Sequence, residues 1–215
     1  MARVAPFSSR PRKAGKILGL LLVGICLGVA GYLVGERVAA SGAFDGLPVR
    51  WADLLAVFVG MIMVVAAVAT SLISLSPALL ARTLNLEGQA GPDEIRDTRL
   101  QALILALSGV IVMLPPLLAM VDVAAAPALA LLGLLLAAHT ALNLTLYRRV
   151  DELFRRAVVE AGALTFWLGQ GVLFLWAVAE RLGVAPALTG WDIYVVLLTA
   201  YLIASVGVAA RRGLA

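Results

Sequence analysis

One cysteine and one histidine in 215 residues leave nothing from which an intrachain disulfide framework or a Cys/His metal cluster is built. Charge is scarce as well: Asp, Glu, Lys and Arg make up 14% of the chain, against roughly 25% in a soluble domain. Sequence signatures of catalysis are missing. There is no glycine-rich phosphate loop ending in Lys-Ser or Lys-Thr, no Gly-x-Ser-x-Gly elbow and no His-Glu-x-x-His pair. A lone histidine denies a haem two axial imidazoles. The expectation is a non-enzymatic protein with no cofactor and no metal. What fills the chain instead is apolar, with 62% hydrophobic residues and a mean hydropathy of +1.01. Such a composition excludes an ordinary water-soluble globule.

A spanning helix needs roughly 20 mostly apolar residues, and six such runs are present, at about 17–34, 51–75, 100–121, 127–147, 157–179 and 191–210. A basic tail at 1–16 precedes them and a short segment at 211–215 follows. The expected fold is an all-α, polytopic transmembrane helix bundle with no separate soluble domain. Of the 17 Lys and Arg residues, fourteen fall in the N-terminal tail, the second and fourth connections and the C-terminal segment. Arg37, Arg50 and Arg181 fall on the opposite side. Basic residues in short loops stay cytoplasmic. Both termini are therefore expected in the cytoplasm, with an even number of spans.

The first run has the layout of a secretory signal, with Val38-Ala39-Ala40 before Ser41. Its apolar stretch, however, exceeds the 7–15 residues of a signal. Gly24, Gly28, Gly31 and Gly35 also fall on one stripe, a face that lets another helix approach closely. The run is expected to stay as a packing helix. In the third run Pro115 and Pro116 each remove a backbone donor, giving a static kink or a moving hinge. Gly169 and Gly171, on either side of Gln170, soften the fifth in the same way. Trp51, Trp191 and Tyr194 read as interfacial anchors, and Asp53 and Asp192 as hydrated carboxylates at helix starts.

Polar groups within hydrocarbon are expensive and mark candidate sites. His139 lies near the middle of the fourth run, with Asn143 on the same helical face. Glu160 lies about 6 Å beyond Arg156 at the helical rise. If the short connection makes the fourth and fifth runs antiparallel neighbours, the three residues form a proton- or cation-binding site. The structural alternative pairs Glu160 with Arg156 at i,i+4 and bonds Asn143 to a neighbouring helix. Thr70, Ser71, Ser74, Gln101, Ser108 and Ser205 crowd the inner halves of their runs. They read either as a shallow wet cavity or as packing hydroxyls bonded to helical carbonyls. Arg148, Arg149, Arg155 and Arg156 flank spans, so the expected partners are anionic lipid headgroups and not nucleic acid.

Two stretches repeat at offsets of 58 and 59 residues. Asp93-Glu94-Ile95 corresponds to Asp151-Glu152-Leu153, and Ala126-Pro127-Ala128-Leu129 to Ala185-Pro186-Ala187-Leu188. The run Asp151-Glu152, Arg155-Arg156, Glu160-Ala161 entering an apolar helix resembles small uncharacterised bacterial inner-membrane proteins carrying that signature. The resemblance spans about the last 65 residues and implies a bacterial inner-membrane setting without an activity. The leading expectation is a structural or accessory membrane component, associating with other membrane subunits or with itself. The alternative is a small proton- or cation-coupled transporter or channel built on Glu160, His139 and Asn143.

Overall fold

The structure, a computed structural model, describes residues 50–84, 86–121 and 123–212. The run at 17–34, with Gly24, Gly28, Gly31 and Gly35, and the tail at 1–16 lie outside the described residues. Among those described, every regular element is helical: α1 (Trp51–Ile73), α2 (Pro77–Thr83), α3 (Pro92–Met120), α4 (Ala125–Arg149), α5 (Glu152–Arg181) and α6 (Gly190–Arg212). All but α2 are long and apolar enough to cross a membrane. Their exposed side chains include Val65, Leu129, Leu134, Phe174 and Ile203, a surface that suits lipid and not water.

Several helices overrun the apolar runs that mark them, because hydropathy reports hydrocarbon depth and not where hydrogen bonding stops. α3 begins at Pro92, eight residues before Leu100. Proline suits the first helical position, where no intrahelical donor is needed, and Asp93 and Glu94 complement the positive helix end. α5 begins at Glu152 because the Asp151 side chain accepts a hydrogen bond from the Phe154 amide at 2.8 Å. It ends at Arg181, and Gly183 just beyond, with a φ of +73°, lets its own amide reach Glu180 O and the Val184 amide reach Ala179 O. Near the end of the second apolar run the chain breaks. Ser76 caps a new helix, α2, by accepting from the Leu79 amide at 3.3 Å. α2 then tucks Leu80 and Ala81 against Ala90, Ile73 and Ile95.

The closest packing joins α1 to α3. A Cβ added at Gly109 would lie 2.6 Å from the Gly60 carbonyl oxygen, and one added at Gly60 would lie 2.7 Å from the Gly109 oxygen. The two backbones therefore touch where both residues lack a side chain. Further along, Ala56 and Val112 meet Val195 of α6. α5 packs on α6 through Ala157, Ala161 and Val208. α4 packs along α3, and the most apolar stretch of α4 has no buried residue.

Polar contacts sort the helix ends. Arg99 to Ser74, Arg149 to Asp97 and Arg212 to Glu160 bring the ends of α1, α4 and α6 beside the starts of α3 and α5. Arg50 to Asp192 joins the starts of α1 and α6. Of the eleven arginines described, nine belong to the first set of ends and only Arg50 and Arg181 to the second. The 58–59-residue repeat divides in the structure. Its first element starts a long helix each time, whereas Ala126–Leu129 lies in α4 and Ala185–Leu188 lies in the non-helical connection between α5 and α6.

Candidate functional site

The central polar cluster lies between α3 and α4. His139 Nε2 is 2.6 Å from Ser108 Oγ and 3.1 Å from Asn143 Nδ2. Asn143 Nδ2 also donates to the His139 carbonyl at 2.8 Å, and Ser108 Oγ lies 2.8 Å from Ile104 O. A serine hydroxyl has one proton to give. With a bare Nε2, Ser108 and Asn143 donate to the ring; with a protonated Nε2, the ring donates to Ser108 and the hydroxyl turns to Ile104. The bare-Nε2 form suits both contacts, since a protonated Nε2 at 3.1 Å from Asn143 Nδ2 sets donor against donor, and all three side chains are partly buried.

Glu160 is elsewhere. Its Oε2 accepts from Arg212 Nε at 2.8 Å and also from Arg212 Nη2, while Arg211 Nη1 lies 3.7 Å from Oε1. No hydrogen bond among the described residues joins it to His139 or Asn143. The three-residue site expected from sequence is thus divided, because α4 packs along α3 and α5 along α6 instead of along each other. The expected Glu160–Arg156 pair is also replaced: Arg156 bonds Glu152 at 3.0 Å.

The four arginines at the α4–α5 joint differ in surroundings. Arg149 pairs with Asp97 at 3.2 Å, and Arg148 forms no ion pair with a described residue. Arg155 donates from Nε to Val150 O at 3.1 Å, with its guanidinium 5.7 Å from the centre of the Tyr147 ring. α3 runs on through Pro115 and Pro116, and Pro116 is buried. Ser74 is buried and bonds Ser71 O at 2.7 Å and Arg99 Nε at 3.4 Å. Of the inner-half hydroxyls, Ser205 Oγ is buried with no hydrogen-bond partner.

At the other end, a carboxylate expected to be hydrated is wholly buried. Asp192 has no exposed surface, and its Oδ2 accepts from Arg50 Nη2 at 2.6 Å, the Thr189 amide at 2.7 Å and Thr189 Oγ1 at 2.8 Å. Trp191 Nε1 donates back to Asp53 Oδ1 at 2.8 Å, while the Arg50 amide donates to Asp53 Oδ2 at 3.0 Å. The starts of α1 and α6 are thus crossed by two reciprocal bonds. Asp192 Oδ1 has no hydrogen-bond partner. The signal was in the sequence: Thr189 to Asp192 has the spacing of a capping box, as Arg50 to Asp53 does. What the spacing does not reveal is that the two boxes face each other.

Among the described residues, no three of His, Cys, Asp and Glu converge as metal ligands. No protein-family model matches the chain, and no curated protein or solved structure matches it.

Proposed function

We propose that the chain is a non-enzymatic, six-span component of a bacterial inner membrane, structural or accessory in role, with both termini in the cytoplasm. The observation that carries this reading is how its ionisable groups are engaged. Glu160 is paired with Arg212 at a helix end, and His139 is bonded within a neutral cluster. A proton-coupled carrier instead needs a carboxylate or imidazole at depth that exchanges its proton between two sides. The unburied face of α4 supports association with another membrane subunit or a second copy. The crowding of nine arginines at one set of helix ends supports the orientation. A reporter fused after Ala215 is expected to read cytoplasmic; a periplasmic signal overturns the orientation.

A second reading, a small proton- or cation-coupled transporter, draws on His139 as a partly buried imidazole on an apolar helix. Liposomes holding the purified protein separate the two. The accessory role predicts no proton-coupled flux above that of empty vesicles, unchanged by Glu160→Gln or His139→Ala. Flux that either substitution abolishes replaces it with the transporter.

A further inference from the structure

Two open grooves lie in succession along the seam between α5 and α6. The first, about 590 Å³, opens at the arginine-rich end, where Arg155, Arg156 and Arg212 meet Tyr147, Glu152 and Glu160. The second, about 630 Å³, lies further from the arginine-rich end and is lined by Gly162, Phe166, Gln170, Phe174, Leu197 and Tyr201. Val159 and Ala163 of the first groove continue at spacings of three and four into Phe166, Gln170 and Phe174 of the second. They therefore share one face of α5. Across the seam, Tyr201 and Arg212 are eleven residues apart, which at 3.6 residues per turn brings them to within about 20° on α6.

Charge and length point to one occupant. Glu152 neutralises Arg156 and Glu160 neutralises Arg212, but Arg155 has no carboxylate partner among the described residues. Its Nε bonds Val150 O and its plane is held near the Tyr147 ring, which leaves the two Nη groups as a fork of donors suited to a phosphodiester. From Ala163 to Phe174 the helix rises about 16 Å, half of the roughly 30 Å hydrocarbon core. That is the depth of one leaflet. A groove walled by aromatic and aliphatic side chains over this length fits an extended acyl chain.

We propose that the seam holds one anionic phospholipid from the leaflet at the arginine-rich end, its phosphate on Arg155 and one chain along Ala163, Phe166 and Phe174. The inference rests on the membrane reading above, which alkaline extraction of membranes tests by itself. The protein is reconstituted in nanodiscs of equal parts phosphatidylcholine and phosphatidylglycerol and the retained lipid is counted by native mass spectrometry. One phosphatidylglycerol is expected to be retained with a preference of about fivefold, the effect of one arginine near the surface. Arg155→Gln is expected to erase the preference, and Arg181→Gln to leave it intact. Gly162→Leu fills the groove from a position where an added Cβ meets nothing within 4 Å. It is expected to lower retention of either lipid about tenfold, with Ala163→Leu as the second filler should the first misfold. Three results overturn the assignment: equal retention of both lipids by the native chain, undiminished retention in both filled variants, or displacement of the lipid by free glycerol phosphate. A dimer that dissociates on filling the groove overturns it too, in favour of a second copy.

Discussion

Gly109→Ala is expected to destabilise the detergent-solubilised protein by about 3 kcal/mol, the upper part of the range for overpacked interiors. The added methyl would lie 2.6 Å from the Gly60 oxygen, 2.9 Å from Val64 Cγ2 and 3.2 Å from Met63 Cβ. Two of these neighbours are fixed to the backbone, so α1 and α3 must move apart and their shared interface loosens over its whole length. Helix propensity alone gives the opposite sign, since alanine is favoured over glycine within a helix by up to about 1 kcal/mol. Gly133 supplies the contrast: an added Cβ there meets nothing within 4 Å. Gly133→Ala should be neutral or slightly stabilising. Denaturant titration in mixed micelles, followed by circular dichroism, measures both variants. Equal behaviour of the two would remove the close approach of α1 and α3.

Asp192→Ala is expected to cost about 2–3 kcal/mol in the same titration. Breaking a buried ion pair from one side typically costs 3–5 kcal/mol. Here the Arg50 side chain is 45% exposed and rehydrates when released, which places the loss below that range. The substitution also strips the Thr189 amide and hydroxyl of their acceptor. Arg50→Ala alone should cost less, because it leaves Asp192 bonded to Thr189. A double-mutant cycle then isolates the ion pair, and its coupling energy should exceed about 0.5 kcal/mol. A coupling near zero means that Arg50 and Asp192 do not hold α1 against α6.

Much of the fold was legible because lipid imposes a length and a polarity. Apolar runs located every long helix described, and the arginines sorted the helix ends. What the sequence could not convey is which helix lies beside which. Val150 and Asp151 join α4 to α5 so tightly that neighbourhood was the natural expectation, yet small residues decide otherwise: Ala157 and Ala161 turn α5 towards α6. His139 and Asn143 were readable as a same-face pair, and the structure adds Ser108, whose place opposite them depends on how α3 packs. Glu160 was readable as a polar group near a helix end, but its partner lies 52 residues away on α6. Gly60 and Gly109 carry no signal in the sequence because each is solitary in its own run. A glycine stripe is a pattern within one helix, whereas this pair acquires meaning only across two.

The bond from Arg50 to Asp192 joins residues 142 positions apart in the chain. During synthesis Arg50 therefore emerges long before its counter-charge, whereas α3, the described helix packed most closely on α1, follows it after only the short α2. Of the described helices, α5 and α6 are made last. A nascent chain halted before Thr189 leaves Ala56 without Val195 and Arg50 without its carboxylate. Such a truncated product lacks every group that joins the start of α1 to the start of α6.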